Sequence, residues 1–179
     1  MVYIFLATGF EEAEALVPAD LLRRAGIDTA LVGTERGPVA GGHGIAVLPD
    51  MELPQVALED AEMLVLPGGG RGVENLACCP QVEQLIRLAA AQGIPIAAIC
   101  AAPALLARWG LLEGKRAVCF PGLEGKLAGA RHTGASVVTD GATITGRAAG
   151  SAFDFGLELV KFLAGEEKAE EVRHNVHYR

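Results

Sequence analysis

The sequence predicts an α/β protein: a doubly wound, mostly parallel sheet with helices on both faces. Short apolar runs alternate with longer segments of helical periodicity, which is the pattern of successive strand–helix units. The central runs, such as Glu62–Leu66 and Ile94–Ile99, are largely apolar, as expected for strands that are buried on both faces. The length of 179 residues suits one domain that spans residues 1–179.

Local signals place each element along the chain. Acidic residues open the first helix and Gly26 ends it, while Asp140-Gly141 is a strong hairpin signal between two strands. The expected strands are Tyr3–Ala7, Asp28–Gly33, Glu62–Leu66, Ile94–Ile99, Lys115–Cys119, Ser136–Asp140 and Ala142–Thr145. The expected helices are Glu11–Ala25, Pro80–Gln92, Pro103–Trp109, Leu123–Ala128, Ala152–Leu163 and Glu166–His174. The short runs Pro38–Ala40 and Ile45–Leu48 predict a hairpin-like excursion, and Pro49–Glu59 predicts a loop with a brief turn.

Composition and charge exclude several classes of protein. The formal net charge is −7 and no basic stripe is present, so we expect no nucleic-acid partner. No apolar run reaches the length of about 18 residues that a membrane span needs, so we expect no membrane partner. The apolar start of the chain is too short for a signal peptide and lacks a basic region, which favours a cytoplasmic location. The four cysteines show no zinc-type spacing and are expected to be free thiols; they are Cys78, Cys79, Cys100 and Cys119.

The strand Ile94–Ile99 is followed directly by Cys100, two alanines and Pro103. Pro103 suits the first turn of a helix, so Cys100 is predicted to lie at a tight strand-to-helix turn. Such a turn lifts a nucleophile above the end of a sheet, and the amides and dipole of the following helix favour a thiolate. Most free cysteines are simply small buried residues, and that interpretation of Cys100 stays open at this point.

Two further features fall at the same sheet edge, where ligands bind in doubly wound sheets. The run Pro67–Gly70 is either a plain tight turn or a loop whose N–H groups donate to an oxyanion beside a thiolate. It is not a dinucleotide fingerprint, because the next expected helix starts about ten residues later. Glu14 is one of three acids at the start of the first helix. Such acids are mostly solvated, yet a carboxyl that faces Cys100 can donate a hydrogen bond to sulfur or act as an acid or base.

These features together resemble a known family. The residues that carry the resemblance are Gly9–Glu14, Leu22–Gly26, Val65–Gly69, Ala97–Pro103, Gly146-Arg147 and Phe153–Phe155. Over essentially the whole chain they are similar to the ThiJ/PfpI superfamily, in its DJ-one branch. The resemblance implies a flavodoxin-like fold, a homodimer, a nucleophilic and oxidation-prone cysteine at Cys100, a pocket glutamate at Glu14, and oxyanion amides at Gly69 and Ala101. It also implies glyoxalase or deglycase activity on a small aldehyde substrate, without a cofactor, or chaperone activity and a response to oxidative stress.

The chain departs from the family pattern at one position near the cysteine. The family often has a histidine just after the next strand and before a proline, whereas this sequence has Phe120 ahead of Pro121. Glu14 alone, or another histidine, must then move protons. His43 lies in the hairpin that in relatives reaches the partner subunit's active site, so it is either a solvated residue or a contributor in trans. His132 is expected at the surface, and His174 and His177 in the tail are weak evidence for a metal. No metal or cofactor is expected.

Three functions use these residues differently. In the first, Cys100 adds to the aldehyde of a small oxoaldehyde such as methylglyoxal, Gly69 and Ala101 hold the oxygen, and Glu14 moves the proton. In the second, the protein is a non-catalytic redox sensor or stress-protective chaperone whose Cys100 is oxidised to a sulfinate. A peptidase needs a base beside the thiolate, and Phe120 argues against it.

Overall fold

A mostly parallel, seven-stranded sheet lies at the centre of the computed structural model, which describes residues 1–179. The strands are β1 (Val2–Leu6), β2 (Thr29–Gly33), β3 (Val39–Ala40), β4 (Ala46–Val47), β5 (Met51–Glu52), β6 (Met63–Leu66), β7 (Ile96–Ile99), β8 (Arg116–Ala117), β9 (Arg131–His132), β10 (Val137–Asp140) and β11 (Thr143–Gly146). The α-helices are α1 (Glu12–Arg24), α2 (Gly70–Ala77), α3 (Pro80–Ala91), α4 (Pro103–Arg108), α5 (Ala152–Ala164) and α6 (Glu166–Asn175). The order in the sheet is β10-β11-β7-β6-β1-β2-β5, and only the pair β10–β11 is antiparallel. The predicted α/β fold class is confirmed.

Helices cover both faces of the sheet, and the sheet divides the core into two layers. Along β1, Tyr3 and Phe5 pack into one layer with α3 and α4, while Ile4 and Leu6 pack into the other with α1, α5 and α6. All five β1 residues are buried, because side chains alternate between two covered faces. None of the helices combines the length and the apolar character needed to cross a bilayer.

The segment after the glycine run differs from the expectation. The helix α2 begins at Gly70, directly after the run, whereas the sequence placed the next helix at Pro80. Two glycines in the first turn disfavour a helix, but burial of Val73 and Leu76 compensates. Gly72 is required there, because a Cβ atom would lie 2.7 Å from the backbone N and Cα of Phe10. The helix therefore begins at the edge of the sheet where Cys100 lies.

The strand expected at Lys115–Cys119 is also different. Only Arg116–Ala117 is extended, and it pairs with β9 in a separate two-stranded sheet. The position beside β7 is occupied by β11, and the β10–β11 hairpin closes that edge, so the segment cannot join the main sheet. Two short strands were not expected: β5 inside the predicted loop and β9 before β10. The hairpin of β3 and β4 forms as predicted.

The two glycines of α2 give a matched test of this packing. We expect Gly72→Ala to destabilise the protein by about 1–3 kcal/mol, because the added methyl group meets the backbone of Phe10. Gly70→Ala should be neutral or stabilising by about 0.5–1 kcal/mol, since nothing lies within 4 Å of its added Cβ. Urea unfolding of both variants measures the difference. Equal free energies of unfolding would contradict this account of α2.

Candidate active site at the carboxyl edge of the sheet

Cys100 lies immediately after β7 in a backbone conformation that is rare for a residue with a side chain. Its φ is +66°, in the left-handed region, which costs about 1–2 kcal/mol for an L-residue. Hydrogen bonds on both sides hold this turn: Cys100 N–H donates to Gly146 O at 2.9 Å, and Phe120 N–H donates to Cys100 O at 2.7 Å. The fold thus fixes the thiol at the strand-to-helix turn that the sequence predicted, and the thiol is partly exposed.

Glu14 reaches the same point from α1. Its side chain is fully buried, and its Oε2 accepts a hydrogen bond from the N–H of Gly68 at 2.8 Å. The other oxygen, Oε1, is buried without a hydrogen-bond partner of standard geometry, and the Cys100 thiol interacts with this carboxyl. Burial raises the pKa of Glu14 to about 7, although its hydrogen bonds with Cys100 and Gly68 act in the opposite direction. An acid of this pKa changes its protonation state at neutral pH.

Glycines let the backbone approach both groups. A Cβ atom at Gly68 would lie 2.4 Å from Glu14 Oε2 and 2.6 Å from Cys100 Cβ. Gly69 has a φ of +90°, and a Cβ there would lie 2.4 Å from Gly9 O. The backbone N–H groups of Gly69 and Ala101 act on the Cys100 sulfur and favour its thiolate. Only glycines fit at these two positions of the loop, so that its N–H groups reach both the carboxyl and the sulfur.

The resting thiol is less acidic than the sequence suggested. Burial, followed by the charge and hydrogen bond of Glu14, raises the pKa of Cys100 to about 12, while the amides of Gly69 and Ala101 act in the opposite direction. The pKa of the buried Cys119 rises to about 11, so Cys100 is not the most acidic thiol of the chain. The expected helix-terminus effect is present, but burial beside a carboxylate outweighs it. The site at rest therefore holds a thiol next to a carboxylate that can accept its proton.

His43 does not contact Cys100 within its own chain. Its backbone N–H donates to Glu12 Oε1 at 2.7 Å, and its Nδ1 lies 2.9 Å from Glu12 Oε2. Burial acts to raise the pKa of Glu12, but the hydrogen bonds from the side chain and backbone of His43 and from the hairpin lower it to about 2. The pKa of His43 is raised by its hydrogen bond with Glu12 and by the charges of Glu11 and Glu12. This ion pair fastens the β3–β4 hairpin to α1.

The same three residues bring their donor atoms within 4.8 Å of one another: Glu11, Glu12 and His43. The hydrogen bonds between Glu12 and His43 account for this proximity, so the arrangement carries no metal assignment. Phe120 lies beside Cys100 in the backbone and is about half exposed, and its side chain offers no group that accepts a proton. None of the four histidines forms a hydrogen bond with Cys100 or Glu14. The carboxyl of Glu14 is therefore the titratable group that lies at the thiol.

The structure thus brings together Cys100, Glu14, Gly69 and Ala101 at the ends of neighbouring strands β7, β6 and β1. Sequence reasoning missed the role of Gly68, whose N–H orients Glu14, and that of Glu12, which binds the hairpin. The first glycine of the run was a usable signal for Gly68. For Glu12 no signal existed, because its partner is 31 residues away. A buried carboxyl, a thiol and two convergent N–H donors can add sulfur to a carbonyl and hold the resulting oxyanion.

Comparisons with known proteins agree with this geometry. A model of the DJ-1/PfpI family matches residues 1–162. Protein dj-1beta of Drosophila melanogaster is 39% identical over 172 residues, covering 94% of this chain and 92% of that protein. Its crystal structure superposes with a TM-score of 0.95 at 36% identity, covering 99% of this chain and 97% of the other, which confirms the flavodoxin-like fold.

Two relatives carry names that describe an activity. The glutathione-independent glyoxalase DJR-1.2 of Caenorhabditis elegans is 32% identical over 160 residues, covering 88% of this chain and 85% of its own. Deglycase PH1704 of Pyrococcus horikoshii is 32% identical over 166 residues, covering 91% of this chain and 99% of its own. With the family model and these full-length similarities, the chain belongs to the DJ-1/PfpI family.

Proposed function

We propose that this protein is a cofactor-independent enzyme of the glyoxalase or deglycase type, which uses Cys100 to attack small 2-oxoaldehydes. The observation that carries the proposal is the fully buried Glu14, whose carboxyl interacts with the Cys100 thiol and whose pKa of about 7 suits a base at neutral pH. Relatives named glyoxalase and deglycase support the same chemistry.

In the first step the sulfur of Cys100 forms a bond with the aldehyde carbon of methylglyoxal. The thiol proton passes to Glu14, and the electron pair of the carbonyl moves to oxygen. The N–H groups of Gly69 and Ala101 stabilise that oxyanion. Glu14 then returns its proton to the oxygen, which gives a neutral hemithioacetal and restores the carboxylate.

In the second step Glu14 removes the hydrogen of the former aldehyde carbon, and the neighbouring carbonyl oxygen takes a proton, which gives an enediol. Return of a proton to the second carbon and loss of the hydroxyl proton leave a thioester on Cys100. Water cleaves the carbon–sulfur bond and releases lactate and the free thiol. The first carbon loses the two electrons that the second carbon gains, so the sum is methylglyoxal plus water giving lactic acid, without an oxidant.

The test is conversion of methylglyoxal in deuterium oxide, followed by proton NMR. We expect lactate to form, with deuterium at its second carbon in proportion to the exchange of the Glu14 proton with solvent. Absence of lactate above the protein-free rate would contradict the proposal. Formation of lactate by the Cys100→Ser variant at the wild-type rate would contradict the role of the thiol.

Oxidation of Cys100 is the second candidate function. Two N–H donors converge on the sulfur, and a protonated Glu14 could donate a third hydrogen bond to a sulfinate oxygen. Mild peroxide treatment followed by peptide mass spectrometry should then find the sulfinate at Cys100 and less of it in Glu14→Gln. Preferential oxidation of Cys78 or Cys119 would contradict this candidate.

We further propose that the protein is a homodimer, joined through α1 and the β3–β4 hairpin. Ile45 and Leu48, which flank β4 of this hairpin, are 56% and 72% exposed, and a second copy would cover them. The side chain of His43 is 70% exposed and would lie near the partner's site. The free thiols of all four cysteines are consistent with a reducing, cytoplasmic location.

The dimer is tested by light scattering at micromolar concentration. We expect twice the chain mass for wild type and a shift toward the monomer for Leu48→Glu, because a carboxylate would be buried in the interface. Leu88→Glu is the matched control, since Leu88 is also exposed but lies on α3, away from the hairpin. A monomeric wild type with full activity would contradict both the dimer and any role of His43 in trans.

A further inference from the structure

A cavity of about 540 Å³ opens between α2 and α4, next to the candidate active site. Its lining includes Ala101, whose N–H acts on the sulfur, and Gly70, the residue after Gly69. Its deeper walls are apolar and come from Val73 and Leu105, and Leu123 adds to them from the loop after β8. A group attached to a carbon on Cys100 can therefore extend into an apolar space.

Two basic side chains without ion-pair partners line this cavity. Arg108 at the end of α4 and Lys126 both line it, and neither side chain forms an ion pair or hydrogen bond within the chain. One acid, Glu74, also lines the cavity, which leaves an excess of one positive charge. The whole protein carries a net charge of −7, so this local excess is opposite to the overall charge. The charges are complementary to an anionic group.

The size of the cavity also exceeds what methylglyoxal needs. Binding sites for small molecules have volumes of about 300–1,000 Å³, and this cavity falls within that range. A water molecule takes about 30 Å³ in the liquid, so the five heavy atoms of methylglyoxal fill only a small part of the space. The cavity thus has room for a substrate with a longer tail.

We propose that the substrate is a 2-oxoaldehyde whose apolar chain ends in a carboxylate, with the chain in this cavity and the carboxylate bound by Arg108 and Lys126. This inference rests on the proposed function for the reacting end of the substrate. It adds the chemical class of the substrate's other end, which is a carboxylate. Arg108 and Lys126 act only in binding, and Cys100 and Glu14 carry the reaction as described above.

The test compares acids with neutral analogues in which a methyl group replaces the carboxylate. The pairs are 4,5-dioxopentanoate with 2-oxopentanal, and 6,7-dioxoheptanoate with 2-oxoheptanal. We expect wild type to prefer the acid of at least one pair by about tenfold or more in kcat/KM, through a lower KM. Arg108→Gln and Lys126→Gln should each reduce that ratio several-fold, and the double variant should abolish it. Lys168→Gln is the control, because Lys168 lies on α6 at the opposite face of the sheet and should leave the ratio unchanged.

A binding measurement separates this inference from the proposed function. The product expected from the longer acid is 2-hydroxyheptanedioate, and calorimetry measures its binding to Cys100→Ser with and without Arg108→Gln. Loss of about tenfold in affinity on adding Arg108→Gln supports the subsite even if no aldehyde is turned over, in which case the proposed function alone fails. The subsite is overturned if the acid-to-neutral ratio of kcat/KM is the same in wild type and in both cation variants. It is also overturned if the product binds equally well with and without Arg108→Gln. In either case turnover of methylglyoxal leaves the proposed function intact.

Discussion

Replacing Cys100 by serine should lower the turnover of methylglyoxal by at least about 10³-fold. A serine hydroxyl is a much weaker nucleophile than a thiol, and Glu14, with a pKa of about 7, is too weak a base to ionise it. The fold should be retained, because the strained turn is held by backbone hydrogen bonds to Gly146 and Phe120 rather than by the sulfur. Initial rates of lactate formation, together with circular dichroism, measure both parts of this expectation.

The other cysteines provide matched controls for this variant. Cys119 is buried and its thiol also has a raised pKa, while Cys78 is exposed. Neither contacts Glu14, so Cys119→Ser and Cys78→Ser should retain at least about half of the wild-type rate. If either control loses as much activity as Cys100→Ser, the assignment of the nucleophile is wrong.

Replacing Glu14 by glutamine should lower kcat by about 10²–10⁴-fold, the usual range for loss of an acid–base group. The amide can still accept the hydrogen bond from Gly68 N–H through its oxygen, so the loop should keep its shape. What the variant loses is the group that takes the thiol proton and moves hydrogen between the two substrate carbons. The pKa of Cys100 should fall in this variant, because the charge of Glu14 that raises it is removed.

The neighbouring acids are the controls for Glu14. Glu11 is partly exposed and Glu12 binds His43, so neither offers an oxygen to the thiol. Glu11→Gln should change kcat less than about threefold, within the range of ordinary surface substitutions. Glu12→Gln should act mainly through the hairpin and so on dimer stability. Three variants with the same loss of kcat would show that Glu14 has no special role.

Much of the fold and of the site could be predicted because the signals are local. Apolar runs predict β6 and β7, and proline followed by helix formers predicts the turn at Cys100. The failures are non-local. The helix α2 depends on Gly72 packing against the turn at Phe10, and the segment after Lys115 is kept out of the sheet because a later hairpin takes its place. Neither contact can be predicted from the residues near it in the sequence.

The electrostatics of the site could not be predicted for a related reason. A helix start beside Cys100 predicts an acidic thiol, and that effect exists in the amides of Gly69 and Ala101. Burial and the carboxylate of Glu14 oppose this effect of the amides. The strength of that opposition depends on how deeply Glu14 is buried, which only the packed structure shows. The outcome is that both groups are weaker acids than usual: the carboxyl of Glu14 has a pKa of about 7 and the thiol of Cys100 one of about 12.

The central claim is that Glu14 in its ionised form accepts the proton of Cys100, and the pH dependence of kcat/KM for methylglyoxal tests it most directly. A base with a pKa of about 7 is active only when it has lost its proton, so kcat/KM should rise about tenfold per pH unit below pH 7 and level off above it. The residual activity of Glu14→Gln should show no inflection near pH 7. A wild-type profile that is flat through pH 7, or that falls as the pH rises through 7, would contradict the account.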